Sequence, residues 1–126
     1  MAMQVNSAKT SRRVAEMRGR SAETIVADGW LAKGYDILAK RLRTGAGEID
    51  LVVANEDHLI FIEVKARKSL ADAAYAVTPS QQIRLLNAAS AAMAAHAEWE
   101  RPSTRFDVAM VCGDVIEHIT DAIRYH

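Results

Sequence analysis

The stretch LIFIEVKARK, Leu59 to Lys68, begins as an apolar strand and then sets Glu63 and Lys65 two residues apart inside it. Neither residue type is often buried without a partner. Residues two apart on an extended chain share a face and lie roughly 6.5–7 Å apart. Thirteen residues before Glu63 stands Asp50, in the run GEIDLVVA, with Glu48 two positions ahead of it. If the intervening NEDH turns the chain back on itself, Asp50 and Glu63 project from one face of neighbouring strands, with Lys65 one step away. Ile49, Leu51 and Val53 then take the opposite face. Carboxylates this close raise one another's pKa or demand a counter-cation. A hard divalent metal, held by two carboxylates, a backbone carbonyl and waters, answers that demand. It also brings a Lewis acid and an acidified water. The plainer alternative is that Glu63 and Lys65 pair with each other on a solvated edge. Glu48 and Asp50 weigh against it.

The elements that must position these residues follow from periodicity. From Ser11 to Lys33 the pattern is helical, with Val14, Met17, Ala22, Ile25, Val26, Trp30 and Leu31 as an apolar stripe. Gly19 is a point of interruption and Gly34 a stop. Tyr35 to Arg43 reads as a strand, TGAG as a turn, Glu48 to Ala54 as a second strand, and Leu59 to Ala66 as a third. A polar, Ala-rich loop follows. Thr78 is placed to cap a helix and Pro79 to open it, and the helix runs on to Trp99. RFDVAMV and VIEHI supply two further strands around a CGD turn. The order α-β-β-β-α-β-β predicts an α/β fold, a mixed central sheet flanked by helices. One domain spans residues 11–126, behind a mobile segment of residues 1–10.

Composition narrows the class. The chain has 126 residues, half of them apolar and a quarter charged, as in an ordinary globular domain. Its single cysteine, Cys112, excludes an intramolecular disulfide and a Cys-rich zinc site. It reads as a small residue at a strand end. No apolar run is long enough to span a bilayer, and the first residues lack the apolar middle of a secretory signal. The expectation is a soluble, cytoplasmic protein with no membrane partner. Net charge is zero, but nine basic residues face four acidic ones up to Arg43, and seven face twelve after it. The basic front half is either a phosphate-binding face or an ordinary surface. Zero net charge argues against strong non-specific nucleic-acid binding. His58, His96, His118 and His126 have no metal-ligand spacing. Trp30 and Trp99 read as core anchors, and Asp107 either pairs with Arg105 or contacts the metal, the structural role being favoured. No Gly-rich phosphate loop is present, which leaves no sign of a small-molecule cofactor.

GEID followed by EVK resembles the D…(D/E)-x-K signature of the PD-(D/E)XK nuclease superfamily, which includes restriction enzymes and Holliday-junction resolvases. RGRSAE, GEIDLVV, FIEVKAR, RFDVAMV and IEHITDAI, between Arg18 and Arg124, resemble the bacterial YraN family within it. The resemblance implies a restriction-endonuclease-like core and DNA, branched or flapped, as substrate. It implies that Asp50 and Glu63 hold Mg²⁺ or Mn²⁺ with the Val64 carbonyl, and that Lys65 positions or activates the attacking water. Glu23 matches an additional acidic residue near the metal, and is equally read as a solvated helix position. Glu48 is either an outer group of the site or the partner of a nearby arginine. Relatives tend to have a lysine on the helix after EVK, whereas here Gln81 and Gln82 stand there; either a glutamine fills that role weakly or the phosphate contact falls to another group such as Arg84. Arg67 and Lys68, just past the strand, either grip phosphates or form an ordinary charged loop, the loop being favoured for Lys68. Resolvase-like folds commonly work as homodimers, since two strands must be cut. The expected function is thus metal-dependent endonucleolytic hydrolysis of DNA. Two rival readings are a catalytically dormant domain that binds nucleic acid or protein, and a plain α/β domain whose charged strands are structural.

Overall fold

A computed structural model of the protein describes residues 22–67, 77–112 and 115–123. The expected mobile segment, the helical pattern before Ala22, Lys68 with most of the following loop, and the Gly113–Asp114 part of the CGD turn lie outside the described residues. Helix α1 spans Ala22–Ala32 and helix α2 spans Pro79–Ala95. The strands are β1 (Asp36–Thr44), β2 (Gly47–Ala54), β3 (His58–Ala66), β4 (Ser103–Cys112) and β5 (Val115–Ile119). They form one five-stranded sheet in the order β1-β2-β3-β4-β5. β3 and β4 pair in parallel, and the other neighbours are antiparallel. Only the parallel pair needs a crossover, and α2 lies within it. The mixed α/β architecture read from the sequence is the one observed, and it is consistent with a restriction-endonuclease-like core.

Local chemistry explains the joints. Gly34, at φ 89, ends α1 in the left-handed region that suits glycine. The side chain of Asn55 accepts hydrogen bonds from the amides of Asp57 and His58 at 2.9 and 2.8 Å, which closes the NEDH turn. The Thr44 hydroxyl accepts from the amides of Ala46 and Gly47, both at 3.1 Å, and closes TGAG. At α2, Thr78 accepts from the Gln81 amide while the Gln81 side chain accepts from the Thr78 amide, a complete capping box. The helix stops at Ala95, four residues short of the expected Trp99. His96 stacks flat on the Trp99 ring at 4.0 Å, and a separate 3₁₀ turn, Ala97–Trp99, turns the indole into the core.

The sheet is buried on both faces. α1 brings Val26, Ala27 and Trp30 against Leu51, Val53, Ile60, Ile62 and Val64. α2 brings Leu85, Leu86, Ala88, Ala89 and Ala92 against Val52, Ala54, Phe61, Phe106 and Val108. Leu59 to Ile62 on the central strand are wholly buried, as a strand covered on both faces requires. Among the described residues no helix is long and apolar enough to cross a membrane.

Two irregularities shape the site. The β1–β2 register slips between Ile37 and Ala39. Leu38 and Ala39 then both pack toward α2, while Ile37 faces α1. On β2, Ile49 packs into the α2-side core while Leu51 and Val53 face α1. The sequence reading had put all three on one face. Strict alternation fails because β2 leaves the ladder with β3 at this point.

Candidate active site

The β2–β3 ladder runs from Ala54↔Leu59 to Leu51↔Ile62 and goes no further. The next positions are Asp50 and Glu63. Instead of a strand carbonyl, the Asp50 carboxylate accepts the amide of Val64, at 2.8 Å from Oδ2. The two strands fork, and a carboxylate occupies the fork. The Glu63 carboxyl stands beside Asp50, near enough for the two side chains to act on each other.

A cleft of about 200 Å³ opens here, walled by β2, β3 and α2. Asp50, Glu63, Lys65 and Glu48 line it from the sheet, and Gln81, Arg84 and Leu85 line it from the helix. Lys65 Nζ lies 3.9 Å from Glu63 Oε1, and both side chains are less than a fifth exposed. They therefore do not form a pair on a solvated edge. Burial pushes Glu63 up to about 8, helped by the hydrogen bond and the charge of Asp50, while Lys65 and Arg84 pull the other way. Burial and the neighbouring Asp50 thus favour a protonated Glu63 at neutral pH. A divalent cation is the natural replacement for that proton, because hard carboxylate oxygens are its preferred donors.

The remaining expected residues fall in different places. Glu23, on α1, does not line the cleft. It accepts from Arg41 Nε at 3.1 Å, and Arg41 has an unusual strand φ of 49. Glu48 lines the cleft but is 44% exposed and pairs with Arg43 at 3.6 Å, the arginine partnership left open above. Gln81 reaches the cleft edge, but its Oε1 serves the helix cap at 3.0 Å. Gln82 turns away and donates to the Val77 carbonyl at 3.3 Å. Arg67 donates from its guanidinium to the Ala66 carbonyl, and its amide continues toward Val111 of β4. Arg84 is thus the basic residue of α2 that borders the carboxylates. Among the described residues no three His, Cys, Asp or Glu side chains gather as a metal-binding group. The cleft offers Asp50, Glu63, the arginine-paired Glu48 and the adjoining backbone.

A second polar cluster lies on the α1 side of the sheet. Asp107 is wholly buried. It accepts two bonds from Arg105, at 2.9 and 2.8 Å, one from the Asp121 amide at 2.8 Å, and pairs with His118 Nε2 at 2.7 Å. Burial alone would raise this carboxyl, but the bonds from His118, Arg105 and Asp121 outweigh it and hold the group below its ordinary value. The partnership with Arg105 follows from their i, i+2 spacing. That of His118, eleven residues away on β5, has no local signal, although a histidine on an apolar strand was the one available hint. Trp30 packs edge-on against the His118 ring at 4.9 Å, as a core anchor.

Comparison with known proteins matches residues 22–111 to the model of "Uncharacterised protein family UPF0102". A UPF0102 protein of Acidiphilium cryptum (strain JF-5) is 50% identical over 114 residues, spanning 90% of this chain and 89% of the relative. One from Bradyrhizobium diazoefficiens is 53% identical over 100 residues, 79% of this chain and 75% of the relative. One from Nitrobacter winogradskyi is 54% identical over 93 residues, 74% and 79% of the two chains. With most of its length matched on both counts, and with the D…E-x-K constellation carried on the sheet just described, the chain belongs to UPF0102, the YraN-like group of the PD-(D/E)XK nuclease-like superfamily.

Proposed function

We propose that the protein is a metal-dependent endonuclease that hydrolyses DNA phosphodiester bonds, with branched or flapped DNA as the substrate class. The observation that carries the reading is the convergence of Asp50, Glu63 and Lys65 on one cleft at the strand fork. Asp50 and Glu63 would hold Mg²⁺ or Mn²⁺, with the Val64 carbonyl as a further oxygen. The ion would supply a Lewis acid for the phosphate and an acidified water.

The chain's own groups divide the remaining work. Lys65, in a largely enclosed position beside Glu63, donates hydrogen bonds to the attacking water and holds it in line. Its charge offsets the negative charge that builds on the phosphate oxygens in the transition state. The Val64 amide fixes one oxygen of Asp50, so that carboxylate is oriented before anything binds. Leu85 and the buried base of the fork limit the water that can reach the pair.

A second reading, a domain that binds nucleic acid or a protein partner with a dormant centre, draws support from the short donor set. Glu23 is held by Arg41 and Glu48 by Arg43, which leaves Asp50 and Glu63 as the cleft carboxylates that no described arginine pairs with. Cleavage of labelled duplexes, forks and junctions in Mg²⁺ or Mn²⁺ tests the first reading. Loss of cleavage in both Asp50→Ala and Lys65→Ala is expected, and cleavage at the parent rate in both would refute it. Calorimetry with Mn²⁺ separates the two readings, since a dormant centre gives no heat that Asp50→Asn removes. Sedimentation of the protein with and without a junction tests the homodimer that cutting two strands calls for.

A further inference from the structure

Arg84, in the lining of the cleft, differs from three other arginines in how its donors are used. Arg41 is bonded to Glu23, Arg43 is paired with Glu48, and Arg67 bonds the Ala66 carbonyl. Arg84 lines the same cleft from α2 and makes no hydrogen bond or ion pair to any described residue. Toward the described residues its five N–H donors are unspent. Its stem is nonetheless seated. A Cβ added at Gly47 would stand 2.9 Å from Arg84 Cγ and 3.0 Å from its Cδ. Gly47 also has φ 145, a backbone conformation that residues with a side chain rarely adopt. The glycine that opens β2 is therefore required twice, by its own backbone and by the arginine lying across it. The backbone conformation serves the TGAG turn, where the Gly47 amide and carbonyl both bond the Thr44 hydroxyl, and the bare α-carbon leaves room for the arginine stem. The result is an exposed guanidinium in the cleft that also holds Glu48, Asp50, Glu63 and Lys65, its charge acting on Glu63.

We propose that Arg84 is the phosphate-gripping residue of this cleft, seated by Gly47 so that its planar fork meets the non-bridging oxygens of a nucleic-acid phosphodiester. A carboxylate-lined cleft repels a polyanion, and an arginine free to take two phosphate oxygens at once offsets that repulsion where it is strongest. Gly47 acts through Arg84 and is a positioning residue. The role in cleavage rests on the nuclease reading above, whereas the role in binding stands without it.

Binding of a labelled branched duplex in Ca²⁺, titrated against salt, and cleavage in Mg²⁺ test the proposal together. Arg84→Ala is expected to flatten the slope of log K against log salt by about one and to lower kcat/KM by on the order of 10²-fold. Arg84→Lys restores the slope and only part of the rate, because a point charge replaces a fork. Gly47→Ala reproduces Arg84→Ala, and adding it to Arg84→Ala changes binding no further. An unchanged slope in Arg84→Ala, additive effects of the two changes, or no DNA binding by the parent protein would overturn the proposal. If Gly47→Ala does not fold, the two Arg84 variants, exposed on α2, decide the matter alone. DNA binding that depends on Arg84 without any cleavage sinks the nuclease reading and leaves the grip standing. Cleavage that is indifferent to Arg84 does the reverse.

Discussion

Asp50 and Val64 are joined by a hydrogen bond, amide to carboxylate at 2.8 Å, at the point where two strands of the sheet part. The aspartate stands in for a missing strand carbonyl and faces the cleft at the same time. These two duties separate by substitution. Asp50→Asn keeps an oxygen acceptor for the Val64 amide and removes the charge. It is expected to melt near the parent protein while losing Mn²⁺ binding by calorimetry. Asp50→Ala leaves a part-buried amide without its acceptor, and should cost about 1–3 kcal/mol in urea unfolding as well. Equal stability of the two variants would mean that the bond does not hold the fork.

Glu63 gives a pH dependence with a definite sign. Its folded value of about 8 lies above the ordinary 4.5. Between those values the folded chain keeps a proton that the unfolded chain gives up. Stability of the metal-free protein therefore falls as pH rises through that window, and levels off above it. Glu63→Gln, which carries no such proton, should match the parent near the lower end of the window and exceed its stability above the upper end. Urea titrations at both ends, without metal, check this. A gap independent of pH would show that the carboxyl is not shifted. Mg²⁺ should narrow the gap at the upper end, because the cation takes the proton's place.

The two carboxylates illustrate what the amino-acid order conveys and what it withholds. Alternation in GEIDLVVA and LIFIEVKA, and the Asn55 turn between them, are local signals, so the hairpin and the approach of Asp50 to Glu63 could be read directly. The fork could not, because it depends on two strands diverging, and it moved Ile49 to the α2 side. Thr78, Pro79 and Gln81 announced the start of α2, since a capping box is written in four residues. Its end was missed because burial of Trp99, a tertiary demand, overrode strong helix propensity in the preceding alanines. Glu23 illustrates the same limit. Helical phase leaves open which residue meets it, and the backbone turn at Arg41, φ 49, brings that arginine to it.

The Asp107 cluster predicts a large stability effect remote from the cleft. Its carboxylate is wholly buried and takes bonds from Arg105 and the Asp121 amide while facing His118. Asp107→Asn leaves the Arg105 charge half satisfied in a partly buried setting and puts a neutral group among three donors, and should cost about 2–3 kcal/mol. His118→Ala adds a cavity under Trp30 and belongs in the same range. Because Asp107 is held below its ordinary value, its contribution is present above that value and is lost as acid protonates the folded carboxylate. The parent protein should then unfold in acid more steeply than Asp107→Asn. Mn²⁺ binding by the variant, measured where it is still folded, should equal that of the parent, since the cluster lies across the sheet from the cleft.

The Glu23–Arg41 pair decides whether α1 takes part in the site. Arg41 sits between the pairs Lys40↔Leu51 and Leu42↔Ile49, hence opposite Asp50 on the neighbouring strand. Its guanidinium turns to Glu23 at 3.1 Å, with the arginine 65% and the glutamate 21% exposed. An ion pair this open is worth roughly 0.2–1 kcal/mol, so a double-mutant cycle over Glu23→Gln and Arg41→Ala should return a coupling within that range. A purely structural pair makes the two single changes equivalent, and neither then moves the Mn²⁺ isotherm. A glutamate that can exchange Arg41 for the metal breaks that equivalence, because Arg41→Ala frees the carboxylate and Glu23→Gln removes it. From the geometry, with Glu23 outside the cleft lining, we expect equivalence. Tighter Mn²⁺ binding in Arg41→Ala, abolished by adding Glu23→Gln, would instead bring α1 into the metal site.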